Sequence, residues 1–168
     1  MRRPALAFPF LILCSLAPAR AEERFTIEAS LGLGVMVAGK DVSGRFALAP
    51  IGVTLGTFVF EKLAVGVRLG GTVYFGDPAV GNSFLGIVVQ PWLSERLYLE
   101  GGLGVGVLHP DLGDLGSTEQ GFGLSLRGGY IFARAGRHAF SIFLETYPSF
   151  YSSRSVLGAT LGVEWQFL

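Results

Sequence analysis

The chain has 168 residues, the length of a single domain. Half of the residues are hydrophobic, 15% are charged and 25 are glycines, whereas soluble domains carry about 25% charged residues and about 7% glycine. So much glycine excludes long stable helices, and the absence of a basic patch excludes a nucleic-acid partner.

The first 21 residues have the pattern of a secretory signal. A positively charged start precedes an apolar core over residues 6–16, and Ala19-Arg20-Ala21 fits the small-x-small cleavage pattern. The apolar core is too short to cross about 30 Å of hydrocarbon as a helix. We therefore assign residues 1–21 to a signal peptide and residues 22–168 to one mature domain.

The single cysteine, Cys14, lies inside this signal. The mature domain therefore has no cysteine, which excludes disulfides and thiolate metal sites. Removal of the signal also removes three basic residues, so that 10 basic and 13 acidic residues remain and the net charge is −3. We expect no cofactor and no metal ion in this domain.

Eight segments of alternating hydrophobicity follow the signal. In the last of them, residues 159–168, the odd positions hold Ala, Leu, Val, Trp and Phe, and the even positions hold mainly Thr, Gly, Glu and Gln. Successive side chains of a strand point to opposite faces, so this segment is a strand with one apolar face. The eight predicted strands cover approximately residues 25–37, 46–59, 63–75, 84–93, 97–108, 121–132, 138–147 and 156–167.

The predicted connections alternate in length. Long loops, residues 39–44, 76–83, 109–120 and 148–155, follow the odd-numbered strands, and short turns follow strands two, four and six. An even number of alternating segments of about ten residues, with short and long connections in turn, is typical of outer-membrane barrels. We expect an all-β fold, an eight-stranded antiparallel up-and-down transmembrane barrel with both termini in the periplasm.

The polar face distinguishes a membrane barrel from a soluble one. A soluble barrel of the lipocalin type would turn its aliphatic face inward and expose its polar face. Here the polar face is mostly Gly, Ser, Thr and Ala with scattered charges, whereas a soluble surface carries about 25–35% charged residues. Small side chains suit the narrow lumen of eight strands, so we expect the aliphatic face to contact lipid.

Aromatic residues near the strand ends of the apolar face support this assignment, because aromatic girdles sit at membrane–water interfaces. On the periplasmic rim we expect Phe25, Tyr130, Phe132, Trp165 and Phe167; on the outer rim we expect Phe75 and Phe122.

This pattern resembles the small eight-stranded outer-membrane barrels of the OmpA transmembrane-domain, OmpX and OmpW type, over nearly all of residues 22–168. The resemblance implies location in the outer membrane of a Gram-negative-type bacterium and contact with its lipid. It also implies insertion by the barrel-assembly machinery, which recognises a final strand that ends in an aromatic residue. Phe167 would be that aromatic residue, and Leu168 follows it.

Six charged side chains fall on the predicted lumen face: Glu28, Arg68, Glu100, Arg127, Glu145 and Glu164. Buried charges are tolerated when they are paired. Strand order places Arg127 between Glu100 and Glu145, and Arg68 can reach Glu28, Glu100 or Glu145 across the lumen. We predict a structural network that plugs the lumen; the alternative is a gate or a narrow ion path.

The four carboxylates outnumber the two guanidinium groups. Hydrogen bonds from Tyr98, Tyr147, Gln90 or water can satisfy the excess. Barrel closure places Glu28 and Glu164 on adjoining strands, so we expect one of them to be protonated or to share an arginine. Paired acids for hydrolysis are disfavoured because no substrate-sized cavity is expected.

No catalytic set stands out. Some eight-stranded barrels modify lipids with a histidine and with serine or acidic partners near the outer rim, where His109, Asp111, Asp114 and Ser117 would lie in one polar loop. We predict a non-enzymatic outer-membrane protein with an envelope-structural or surface-interaction role, in which the outer loops can bind an extracellular ligand. Small-solute transport is the first alternative and lipid A modification the second.

Overall fold

The computed structural model describes residues 25–38, 46–112 and 118–168, so the predicted signal peptide, residues 1–21, lies outside the described residues. The strands are β1 (Phe25–Ala38), β2 (Phe46–Phe60), β3 (Leu63–Tyr74), β4 (Val80–Pro91), β5 (Leu97–His109), β6 (Glu119–Ala135), β7 (His138–Thr146), β8 (Ser149–Phe150) and β9 (Ser155–Phe167). Among these residues, no helix is long and apolar enough to cross a membrane.

The strands form one closed antiparallel ring. Each long strand pairs with the next along the chain, and β9 pairs with β1 to close the sheet. The two-residue β8 pairs with β6 and β9, as β7 does, so it continues β7 beyond Pro148 and the ring has eight positions. The carbonyl of Pro148 accepts a hydrogen bond from the Leu124 N–H at 2.8 Å. The predicted eight-stranded antiparallel barrel is confirmed.

Several predicted strand ends are wrong because the ladder includes residues with turn-like side chains. Strand β4 begins at Val80 rather than at residue 84, since Gly81 pairs with both β3 and β5. Strand β6 extends to Ala135, and only Gly136 and Arg137 form the following turn. Gly136 has a φ of +59°, as the first position of a type II′ hairpin requires. The predicted loop over residues 148–155 contains β8.

A bulge in β2 changes which residues face the lumen. Ala47 and Thr54 are both buried, although one position is odd and the other even. The register against β3 shifts between Leu48 and Val53, and against β1 one extra residue of β2 lies opposite Ser30 and Gly32. One extra residue moves every later side chain to the other face. The alternation visible from Gly52 onward therefore does not extend back to Ala47.

The outer face of the barrel is apolar. Thirty large hydrophobic side chains of the described residues are exposed there, Leu103 by 61% and Leu161 by 64% of their surface. Soluble monomers rarely expose contiguous apolar patches of more than a few hundred Å². Closure of the ring also pairs the strand edges, which backbone in hydrocarbon requires. The outer face is thus built to contact lipid.

Aromatic side chains mark both ends of this face. At the end with the long connections, called the loop end, Phe46 stacks on Phe75 and Phe122 on Phe150, each with 6.4 Å between ring centroids. The opposite end, with the short connections, is called the turn end. Exposed aromatic residues there are Phe25, Phe60, Tyr130, Phe132 and Phe140, and the half-buried ones are Trp165 and Phe167. The two rims agree with the predicted girdles.

Candidate functional site

Side chains fill the lumen in layers. One apolar cluster lies near the loop end and consists of Ala47, Tyr74, Val80, Leu108, Tyr151 and Val156. A second lies near the turn end and consists of Trp92, Tyr98, Ile131 and Ala139, with Phe58 and Leu168 packed against it. Along β5, Glu100 lies between Tyr98 of the turn-end cluster and Leu108 of the loop-end cluster. The buried charged side chains are together called the charged layer, and they are enclosed between the two apolar clusters: Glu28, Arg68, Glu100, Arg127, Glu145 and Glu164.

Glycines on the lumen face make room for the largest of these side chains. Tyr98 lies opposite Gly129 in the register, and Phe143 lies opposite Gly162. A Cβ atom on either glycine would collide with the facing aromatic ring. The high glycine content therefore allows a narrow barrel to hold aromatic and charged groups together.

Arg68 is the centre of one half of the charged layer and is fully buried. Its Nε and Nη2 atoms lie 3.0 and 3.1 Å from the two carboxylate oxygens of Glu145. Its Nε lies 3.7 Å from Oε1 of Glu100. Arg68 also donates to Thr54 Oγ1 at 2.8 Å and to the Tyr147 hydroxyl at 3.1 Å. Arg68 thus links β3 to side chains from β2, β5 and β7.

Arg127 is the centre of the other half. Its Nη2 atom donates to Glu145 Oε2 at 2.8 Å and to Ser30 Oγ at 3.1 Å, and its Nη1 atom contacts Glu164. Its guanidinium carbon lies 4.1 Å from the ring centroid of Phe143. Glu145 is therefore shared by both arginines, whereas Glu164 pairs with Arg127.

Glu164 also receives three further hydrogen bonds. The Tyr98 hydroxyl donates to its Oε1 atom at 2.6 Å, and the Ser141 hydroxyl donates to the same atom at 3.3 Å. The Gln166 amide is a third donor. Hydrogen bonds to an ionised acceptor are stronger than neutral ones, so this carboxylate is well stabilised in the lumen.

We expect Tyr98→Phe to lower the free energy of unfolding by about 1.5–3 kcal/mol, because it removes a buried hydrogen bond to a charged acceptor. Tyr130→Phe is the matched control, since Tyr130 is 44% exposed on the outer face, and its cost should stay within about 0.5 kcal/mol. Urea unfolding of the barrel in lipid vesicles measures the free energy of unfolding of both variants. Equal costs for the two variants would contradict the role given to Tyr98.

The carboxylates of Glu28 and Glu100 have far fewer polar partners than those of Glu145 and Glu164. Both are buried, with 1% and 3% of their surface exposed, and none of their four carboxylate oxygens has a hydrogen-bond partner among the described residues. Glu100 has the 3.7 Å contact with Arg68, whereas Glu28 forms no ion pair among the described residues. They line a cavity of about 10 Å³ together with Thr26, Thr54, Gly56, Ala64, Val65, Gly66, Val88 and Gln90.

The six charges that the alternation places on the lumen face are all buried there. Arg127 lies in register with Glu100 and Glu145, yet it pairs with Glu145 and Glu164, and Arg68 takes the contact with Glu100. Glu164 lies opposite Ser30 and Glu28 lies opposite Gln166, so the two acids are on adjoining strands but two residues apart.

Sequence reasoning missed the hydroxyl and aromatic members of the network. Ser30, Thr54, Ser141 and Phe143 all contact one of its charges. Each of these residues lies on the same lumen face as a predicted charge, and this shared face is the one sequence feature that indicates a contact. Small polar residues are common on that face, so the alternation alone does not single them out.

The residues of the alternative catalytic set are only partly described. His109 ends β5 and pairs with Gly81 of β4, while Asp114 and Ser117 lie outside the described residues. In the described part of the chain, no group of three or more His, Cys, Asp or Glu side chains is placed to hold a metal ion.

Comparison with known proteins identifies the fold. No protein-family model matches the chain, and no curated protein gives a significant match. Among solved structures, Neisserial surface protein A has a TM-score of 0.72 at 12% identity, over 85% of this chain and 96% of that one. Ail of Yersinia pestis, in complex with the heparin analogue sucrose octasulfate, has a TM-score of 0.54 at 14% identity, over 88% and 100%.

The N-terminal β-barrel domain of Pseudomonas aeruginosa OprF likewise has a TM-score of 0.54 at 12% identity, over 87% of this chain and 100% of that one. Identities this low establish the fold and not the activity. The resemblance predicted from the sequence is confirmed at that level: the chain has the fold of the small eight-stranded outer-membrane β-barrels.

Proposed function

We propose that the protein is an integral outer-membrane barrel that is not an enzyme, and that it has an envelope-structural or surface-interaction role. The observation that carries this proposal is the filled lumen, in which two apolar clusters enclose a layer of buried ion pairs. A barrel filled in this way offers its lipid-facing wall and its outer loops for function. Side chains fill its lumen and form a plug.

The dimensions of the voids support the plug over a channel. At the charged layer the cavity lined by Glu28 and Glu100 measures about 10 Å³, which is room for about one water molecule. At the turn end, an open depression of about 740 Å³ is bounded by Phe58, Trp92 and Leu168. Trp92 belongs to the turn-end cluster and the other two residues pack against it, so the depression ends at an apolar layer.

Reconstitution into planar bilayers tests the alternative of a narrow channel. We expect no discrete conductance from the wild-type protein, and none from Arg127→Ala in preparations that retain the folded barrel, because the apolar clusters on both sides of Arg127 remain. Discrete conductance steps in the wild type would contradict the plug. A change of those steps in Arg127→Ala would place an ion path along the charged layer.

The outer-membrane location is tested by cell fractionation. We propose that the turn end and both termini face the periplasm, that the aliphatic wall contacts outer-membrane lipid, and that the barrel-assembly machinery inserts the chain. Co-fractionation with outer membranes and heat-modifiable migration on gels are the expected results. Recovery as a soluble periplasmic protein would contradict the proposal.

The loop end is the proposed surface for an extracellular ligand. Its described charged residues include Asp77, Asp111 and Glu119, and Arg154 pairs with Glu119 at 3.3 Å. This mainly acidic set does not favour a polyanion of the kind bound in the Ail complex.

The lipid A-modifying alternative is tested by mass spectrometry of lipid A from cells that express the protein. The spectrum should match that of lipid A from vector-only cells.

A further inference from the structure

The charged layer contains two more carboxylates than it has arginines to balance them. The buried charged side chains of the described residues are Glu28, Arg68, Glu100, Arg127, Glu145 and Glu164. Two arginines balance two of the four acids. Glu145 and Glu164 have the closest ion pairs and the hydrogen bonds, which leaves Glu28 and Glu100 as the unbalanced pair.

An ionised carboxylate without a counter-charge or hydrogen bonds is very costly to bury, and such a group is neutralised instead. Among the described residues, Glu28 is in this position, and Glu100 has just its 3.7 Å contact with Arg68, whose charge is shared with Glu145. Both acids lie between the two apolar clusters and expose at most 3% of their surface. A bound cation or a bound proton can neutralise the charge. The chemistry of the groups around the cavity determines which of the two binds.

The surroundings of the cavity favour protons over a metal ion. Besides the two carboxyl groups, the cavity is lined by Gln90 and Thr26. Within the part of the chain that the structure describes, neither the Gln90 Nε2 donor nor the Thr26 hydroxyl has a hydrogen-bond partner. The Arg68 guanidinium lies 3.7 Å from Glu100. A hard cation requires a shell of oxygen acceptors, and an unpaired amide donor and a guanidinium beside it oppose its binding.

We propose that Glu28 and Glu100 form a proton-binding site in the lumen, in which both carboxyl groups carry a proton at neutral pH and hydrogen-bond with Gln90 and one buried water. The ligand is the proton, taken up from solvent when the barrel folds. The cavity of about 10 Å³ has room for one water molecule, which would link the carboxyl O–H groups to the Gln90 amide and the Thr26 hydroxyl.

Other titratable or charged groups also face this layer, and they affect how the free energy of unfolding depends on pH. They are Arg68 from β3, Tyr98 from β5, Arg127 from β6, Glu145 from β7, Tyr147 between β7 and β8, and Glu164 from β9. Glu145 and Glu164 are paired with arginine in the wild type and in the Glu28→Gln/Glu100→Gln variant alike. Their contributions therefore cancel when the two proteins are compared.

Unfolding should therefore release two protons at a pH above the ordinary glutamate pKa of about 4.3. The folded state binds more protons than the unfolded chain, so the barrel loses stability as the pH rises. Each such proton raises the unfolding constant about tenfold per pH unit. Between about pH 5.5 and 7, the logarithm of the unfolding constant should rise with a slope about 2 greater in the wild type than in Glu28→Gln/Glu100→Gln.

The experiment is urea unfolding in vesicles as a function of pH for the wild type, Glu28→Gln, Glu100→Gln and the double variant. Glutamine resembles a protonated glutamate in shape, so the variants should fold, and each single variant should lose about 1 unit of slope. Glu61→Gln is the control that should keep the wild-type slope, because Glu61 is exposed in the turn between β2 and β3, outside the charged layer. Contributions from groups outside the charged layer cancel in these comparisons. Equal slopes for the wild type and the double variant would overturn the proposal.

Infrared spectroscopy of the folded wild-type protein provides a second measurement that requires no variant. At neutral pH we expect the C=O stretch of protonated carboxyl groups, which the double variant should lack. Absence of this band in the wild type would overturn the proposal. Stabilisation of the wild type by added Na⁺ or Ca²⁺, absent in the double variant, would also overturn it and indicate a cation site.

Discussion

Arg127→Ala is expected to lower the free energy of unfolding by about 3–5 kcal/mol, since it removes one partner of a buried ion pair and leaves the other charge uncompensated. Arg127 is 3% exposed, and it donates to Glu145 at 2.8 Å and contacts Glu164. Without it, Arg68 is the single counter-charge that the described residues offer to Glu145 and Glu164. Contact with the Phe143 ring, at 4.1 Å, is lost as well.

Urea unfolding in lipid vesicles, followed by tryptophan fluorescence, measures this cost. Arg154→Ala is the matched control, because Arg154 also pairs with a glutamate, Glu119 at 3.3 Å, but has a side chain that is 45% exposed. An exposed pair of this kind contributes about 0–1 kcal/mol. If Arg127→Ala costs no more than Arg154→Ala, the buried network does not hold the strands together.

Leu103→Arg should destabilise the membrane-inserted barrel by about 2–4 kcal/mol, the cost of a basic side chain on the lipid face at the bilayer midplane. Leu103 is in the middle of β5, is 61% exposed and pairs with Ile87 and Leu124 on the neighbouring strands. The guanidinium group there would be surrounded by hydrocarbon and could reach water only along a long path.

Leu97→Arg is the control for depth, because Leu97 begins the same strand on the same face, at the turn-end rim. Near the interface the cost falls to about 0–1 kcal/mol. The two variants are compared by urea unfolding in vesicles and by their yield in the outer-membrane fraction. Equal costs at the two positions would contradict the proposed depth of β5 in the bilayer.

The period-two pattern predicts the faces of the strands well. Alternation on β5, β6 and β7 places Glu100, Arg127 and Glu145 on one face, and the ladder brings these three residues into register as predicted. The even number of strands and the alternating connection lengths predict closure of the last strand onto the first, as β9 and β1 show. These features depend on local geometry, because each strand side chain points to the face opposite that of its neighbour.

Strand ends and phase changes are less visible in the sequence. Strand β8 continues the ring beyond Pro148, although proline and serine are read as loop residues. The bulge in β2 between Leu48 and Val53 shifts the phase without an unambiguous signal. A bulge is a property of two paired strands, so it depends on how a neighbour aligns and not on one segment alone.

The sequence by itself determines that six charges share the lumen and that acids outnumber arginines there. The tertiary structure decides which acids obtain an arginine. Arg127 lies opposite Glu100 in the register but pairs with Glu164 on β9, which is two strands from β6 around the ring. The reason is that side chains reach across a narrow lumen at heights set by the stagger of the strands. Alternation specifies a face but not that height. Only the closed barrel shows that Glu28 and Glu100 are the acids without a hydrogen-bond donor among the described residues, and that Glu100 has just a 3.7 Å contact with Arg68.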